Sequence, residues 1–198
     1  MIDPANAVTQ ARALQEGAER VLADLGIDAL VAPYGELIRI GSAACGLMAA
    51  RDIDLGVLCP VLDGDVVFAV AQRLFAHPWV RRAQVNDERP PFQSMVGPEN
   101  EGIYCGVRYC EEGRRDQEWK IDLWYFPMDV PRPELPMRDR LLAASDDERM
   151  TILLLKHALL TDGRYGRDVH GIDIYRAVLD RGERSLDDVI HAIVDEGT

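Results

Sequence analysis

The chain has 198 residues, 47% of them apolar, and a formal net charge of −12. It is long enough to bury a proper core and too apolar to stay disordered. Its acidic surface disfavours broad binding to a phosphate backbone and suits a cationic partner, although acidity also serves solubility.

No apolar run approaches the roughly 18 residues of a membrane span. Met1-Ile2-Asp3-Pro4-Ala5 lacks the basic start and apolar centre of a signal peptide, so a cytoplasmic protein is expected. Cys45, Cys59, Cys105 and Cys110 form no Cys-x-x-Cys pair and lie at no zinc-finger spacing from a histidine. They read as small buried thiols.

In chain order, Asn6 to Leu25 has helical spacing, with Leu14, Ala18, Val21, Leu22 and Leu25 on one face and Gly26 as a stop. Leu37 to Ile40 reads as a buried strand between Gly35 and Gly41. Ser42 then reads as the N-cap of a short helix over Ala43 to Ala50. Ile53 to Cys59 is the next strand, Val66 to Phe75 a helix, and Trp79 to Val85 a strand. Phe92 to Val96 and Ile103 to Cys110 are further strand candidates.

Glu118 to Phe126 alternates cleanly: Trp119, Ile121, Leu123 and Tyr125 on one face, Glu118, Lys120, Asp122 and Trp124 on the other. Prolines at 127, 131, 133 and 136 punctuate the stretch that follows, which reads as a linker over 127–136. Beyond it the pattern is helical: Arg138 to Ala144, Asp147 to Leu160, Val169 to Asp180 and Leu186 to Val194. The expected class is α+β, a mixed β-sheet core over 1–126 with flanking helices, followed by a helical bundle over 137–198.

The chemistry concentrates in Ile40-Gly41-Ser42, a nine-residue gap, and Asp52-Ile53-Asp54-Leu55. Alternation along a strand projects Asp52 and Asp54 together, about 7 Å apart at the backbone, where they repel unless a cation lies between them. Asp122 stands in a similar frame, Ile121-Asp122-Leu123, and joins the pair if its strand lies alongside. Three converging carboxylates suit one or two Mg²⁺ ions shared with substrate phosphates. Gly41 permits a tight turn, and the Ser42 hydroxyl with nearby amides suits phosphate oxygens.

These residues resemble the nucleotidyltransferase superfamily, with its DNA polymerase beta-like catalytic fold. Its signature is an apolar residue, Gly, Gly or Ser, nine to thirteen residues, then Asp, apolar, Asp or Glu, apolar. The likeness spans about residues 35 to 126. It implies that Asp52, Asp54 and Asp122 bind Mg²⁺ and carry catalysis, and that Gly41 and Ser42 bind the triphosphate of ATP or another nucleoside triphosphate. Ala44 and Gly46 also match many members. Cys45 stands where many carry arginine, and Arg51 where many carry serine; Arg51 supplies a charge of its own. Lys156, alone in the apolar helix around Leu153-Leu154-Leu155, matches a lysine that related enzymes use as a point charge toward the triphosphate.

Among the other residues, Lys120 shares the Asp122 face and reads as a partner of a carboxylate. Glu118 reads as a rim glutamate, Tyr165 as interhelical packing, and His157 and His170 as surface or capping residues. The expected activity is Mg²⁺-dependent transfer of a nucleoside monophosphate to an acceptor hydroxyl. The expected acceptor is a small, cationic molecule of aminoglycoside- or lincosamide-like type. The alternatives are a toxin-like enzyme directed at transfer RNA or protein, or a non-catalytic binding module on this fold.

Overall fold

The computed structural model describes residues 2–93 and 97–196. Helix α1 (Pro4–Leu25) starts where the Asp3 carboxylate accepts from the Ala5 and Asn6 amides at 3.0 and 3.3 Å. Pro4, in the first turn, has no amide to leave unsatisfied. After α2 (Ile27–Val31), which the sequence pattern did not reveal, come β1 (Glu36–Ile40), α3 (Gly41–Cys45), β2 (Asp52–Cys59) and α4 (Gly64–Phe75). Strands β3 (Val80–Asp87), β4 (Ile103–Tyr109) and β5 (Trp119–Pro127) precede α5 (Glu134–Ala143), α6 (Asp146–Thr161), α7 (Gly171–Arg181) and α8 (Leu186–Glu196). The result is an α+β chain built on one mixed sheet.

The strand order is β1-β2-β5-β4-β3, with β2 and β5 parallel and the other neighbours antiparallel. One level of the sheet carries Ile40 opposite Asp54, Asp54 opposite Asp122, and Asp122 opposite Gly106. The parallel register of β2 and β5 therefore joins residues 68 positions apart in sequence.

Alternation decides the two faces. Ile53, Leu55, Val57, Ile121, Leu123 and Tyr125 are buried under the C-terminal half of α1, α2 and α4. The opposite face carries Asp52, Asp54, Lys120, Asp122 and Trp124, all half-buried. A second cluster joins Leu141, Ile152, Leu155, Ile174 and Val178 of the later helices to Ala7, Ala11, Cys45 and Leu47. Helix α1 thus packs at one end on the sheet and at the other on α6. Among the described residues no helix is long and apolar enough to cross a membrane.

Two local expectations are corrected. The helix expected over Ala43 to Ala50 is only Gly41–Cys45, its N-cap is Ile40 rather than Ser42, and Gly46 ends it at φ 66°. Arg149 of α6 donates to the Cys45 carbonyl at 2.6 Å, satisfying that early end. Phe92 and Gln93 are not in a strand; the rest of that expected strand, 94–96, lies outside the described residues. The Pro-rich stretch contains the end of β5, a connection and the first turn of α5, which begins at Glu134 and takes in Pro136.

Candidate active site

Asp54 sits on the interior strand β2, one residue from the fully buried Ile53 and Leu55 that fix its direction. Its carboxylate lies against the backbone of Gly41. A Cβ on Gly41 would come within 3.0 Å of the Asp54 carboxyl carbon and closer still to Oδ2, and Gly41 holds φ 64°. Glycine is required there for space and for conformation alike.

Asp52, Asp54 and Asp122 each offer an oxygen within 4.8 Å of the others. Lys120 Nζ, from the same face of β5, lies 2.6 Å from Asp122 Oδ2 and 3.2 Å from Asp52 Oδ1. The Tyr104 hydroxyl donates to Asp122 Oδ1 at 2.7 Å. Both Asp122 oxygens are therefore held, one by a cation and one by a neutral donor. Gly106, opposite Asp122 on β4, leaves the space the Tyr104 ring occupies; a Cβ there would come within 2.8 Å of the phenolic carbon.

The electrostatics show how crowded the acids are. Burial lifts the Asp54 carboxyl to about 7, reinforced by the charges of Asp52 and Asp122. Burial raises Asp52 too, against the attraction of Lys120. Burial disfavours charge on Lys120, but its bonds to Asp122 and Asp52 outweigh that and raise its pKa. Tyr104 is raised by burial and by donating to Asp122, so it remains a proton donor.

The residues fit a divalent ion. Three hard carboxylate donors converge, and Asp52 Oδ1, although near Lys120, is buried without a hydrogen bond of its own. The triad opens into a cavity of about 630 Å³ between the sheet and the later helices. Gly41, Ser42, Ala49 and Ala50 line it, together with Trp124, Phe126, Arg132 and Glu134 and with Tyr165, Gly166 and His170.

The remaining expected residues fall in different places. Ser42 lines the cavity. Arg51 is exposed and off the cavity wall; its carbonyl accepts from the Lys120 amide at 2.9 Å. Lys156 is fully buried behind the wall, donating to the Leu47 carbonyl at 3.0 Å and the Tyr175 hydroxyl at 2.8 Å. Burial lowers it to about 8. Glu118 turns away to Arg81 and Arg108, and Tyr165, which also lines the cavity, has its ring 5.6 Å from Lys156 Nζ.

No family model and no curated protein sequence matches the chain. Solved structures do. The Cid1 poly(U) polymerase with Mg and 3′-dATP bound matches with a TM-score of 0.52 at 16% identity, over 74% of this chain and 41% of that one. A cytoplasmic RNA terminal U-transferase matches at 0.53 and 15%, over 83% and 46%. Terminal uridylyl transferase 4 from Trypanosoma brucei, with UTP and UMP bound, matches at 0.51 and 12%, over 98% and 72%.

The chain has the nucleotidyltransferase fold.

It spans less than half the length of the first two of these proteins. Within the nucleotidyltransferase fold, β1, α3 and β2 supply the Gly-Ser turn and the Asp-x-Asp pair, and β5 supplies the third acid. Tyr104, Trp124 and Arg132 were not singled out as site residues from the sequence. Alternation in Ile103 to Tyr109 carried a signal for Tyr104, since Ile103, Cys105 and Val107 are buried on the opposite face. Nothing local marked Arg132, whose place depends on contacts with Glu99, Phe126 and Glu134 of α5.

Proposed function

We propose that this protein is a Mg²⁺-dependent nucleotidyltransferase that moves a nucleoside monophosphate from ATP or another nucleoside triphosphate to a hydroxyl of a small, cationic acceptor. The observation that carries the reading is the convergence of Asp52, Asp54 and Asp122 beside the Gly41-Ser42 turn at the mouth of one cavity.

Asp52, Asp54 and Asp122 would hold the metal. When bound, Mg²⁺ offsets negative charge on the phosphates and the attacking oxygen. Gly41 lets the backbone come close to the triphosphate, and Ser42 offers its hydroxyl to a phosphate oxygen. Asp122 accepts the proton of the acceptor hydroxyl. The hydroxyl oxygen then forms its bond to the α-phosphorus as the bond to pyrophosphate breaks. Tyr104, donating to Asp122 Oδ1, fixes the direction of that carboxylate and stays protonated while it does so. Arg51 and Lys156 are proposed as phosphate partners after rearrangement, since neither lines the cavity in this structure.

The net charge of −12, and a cavity lining in which Asp52, Asp54, Asp122, Glu88, Glu99 and Glu134 outnumber Lys120, Arg132 and Arg138, support a cationic acceptor over a polyanion. The second reading, an RNA end as acceptor, is favoured by what the matched U-transferases do. Calorimetry with ATP and MgCl₂ tests the core of the proposal. Binding is expected to need the metal and to weaken at least tenfold in Asp52→Asn and Asp54→Asn. Metal-independent binding that both variants retain would sink it. Label transfer from α-labelled triphosphates to RNA alone would select the second reading.

A further inference from the structure

We propose that the outer edge of β3, with the flank of α4 beside it, is the interface for a second copy of this chain. The two copies pair β3 with β3, antiparallel about a two-fold axis, so that their five-stranded sheets join into one. The proposal stands apart from the transfer reading, since β3 lies at the opposite end of the sheet from β1 and β2.

The edge follows from the ladder. Among the described residues, β3 pairs with β4 alone and ends the strand order. Just beyond β3, the Glu88 amide donates to the Gly102 carbonyl at 3.0 Å. Arg82, Gln84 and Asn86 are in step with Glu88 and also turn their backbone groups toward β4. Ala83, Val85 and Asp87 therefore turn theirs outward. A bulge between Val80 and Arg82 confines the regular edge to residues 83–87. Such an edge is a template for another strand.

Helix α4 adds an apolar flank above that edge. It packs on β3 and β4 through the buried Val67, Val70, Ala71 and Leu74. Arg73 stands on the flank toward α1 and α2, where it lines a groove with Leu25, Gly26 and Leu30. Phe75 lies about 200° around the helix from Arg73, and Phe68, two turns earlier, shares its flank. That flank faces away from α1 and α2, over the outer edge of β3. Both rings are exposed, Phe68 by 66% and Phe75 by 57%. Joining β3 to its copy brings the two α4 helices side by side and covers these rings.

Charge selects the second copy as the occupant. β3 is basic at its start, Arg81 and Arg82, and acidic at its end, Asp87. Arg81 is paired with Glu118 and Asp87 with Arg89, whereas Arg82 is bonded to the neutral Gln84. Antiparallel pairing with Gln84 opposite Gln84 sets Ala83 against Val85, both turned outward. It also brings Arg81 and Arg82 of each copy beside Asn86 and Asp87 of the other. An unrelated strand would need the same reversed order of charge and an apolar partner for α4; a second copy supplies both by symmetry. A nucleic-acid strand would meet Asp87 and a chain of net charge −12.

Analytical ultracentrifugation of the full chain, from about 1 to about 100 µM, tests the proposal. A dimer of twice 22.1 kDa is expected to form within that range. Phe68→Glu combined with Phe75→Glu should weaken it at least tenfold. Ala83→Pro should do the same, because it removes an outward amide and leaves the ladder to β4 in place. Circular dichroism should show both variants folded; if Ala83→Pro is not, the phenylalanine pair and the following crosslink decide. Gln84→Cys should form a disulfide between copies on mild oxidation, since residues opposite each other in a pair of this kind lie about 4.5 Å apart at Cα. The four native cysteines are buried and should not compete, and Thr9→Cys, exposed on α1, should stay uncrosslinked. A chain that is monomeric throughout, a dimer that the phenylalanine variant leaves intact, or a dimer in which Gln84→Cys does not crosslink would overturn the proposal.

Discussion

Asp54 is tightly confined, pressed against Gly41 and flanked by Asp52 and Asp122. Its carboxyl titrates near 7 in the fold against 3.8 as the ordinary value. The folded chain therefore holds a proton that the unfolded chain gives up between those values. Asp54 contributes stability that is fully present below about pH 4 and is lost as pH rises toward 7. In urea melts without metal, this part of the pH dependence should vanish in Asp54→Asn. Mg²⁺ should stabilise the wild type more at pH 8 than at pH 5, because the metal competes with that proton. An Asp54→Asn melt with an unchanged slope between pH 4 and 7 would assign the slope to other groups. This residue's direction was legible in the Asp-Ile-Asp alternation; its confinement was not, because it comes from the neighbouring strand.

At the scale of elements, the junction of β1 and α3 is the tightest part of the site. A strand ending at Ile40 must turn in one residue and still leave space for a carboxylate from β2. Replacing Gly41 with alanine places a Cβ where Asp54 sits and forces a side chain into φ 64°. The expected cost is roughly 1–2 kcal/mol of backbone strain, read from a urea midpoint. Loss of metal-dependent nucleotide binding should accompany it, because Asp54 must move. Retained binding at wild-type affinity would show that the turn can relax. The Gly-Ser pair was visible in sequence, but the length of α3 was misjudged there. An alanine-rich run over 43–50 has helical propensity, and Gly46 together with the Arg149 bond to the Cys45 carbonyl stops the helix early.

Across the whole molecule, the later helices pack against the start of the chain. Their apolar cluster includes Ala7 and Ala11 of α1 and Cys45 and Leu47 after β1. Lys156, fully buried, ties α6 to the Leu47 carbonyl and to Tyr175 of α7. A chain cut after residue 136 would expose those four residues and lose this anchor. It is expected to lack the sharp thermal transition of the full chain, monitored by circular dichroism and calorimetry. A cooperative melt of the 1–136 fragment would establish two independent folding units divided at the Pro-rich stretch.

By itself the sequence determined the strand carrying each acid, the face each acid takes and the Gly-Ser turn beside them. Alternation with period two and the conformational freedom of glycine are local properties, set by residues a few positions apart. The tertiary structure decided which strands lie side by side, and hence that Asp54 meets Asp122 across a parallel pair. It also decided that Tyr104 reaches Asp122, that Arg132 lies over Phe126, and that Lys156 is buried behind the cavity wall. Each of those contacts joins residues whose nearness depends on the packing of the chain around them, and no window of sequence contains that information.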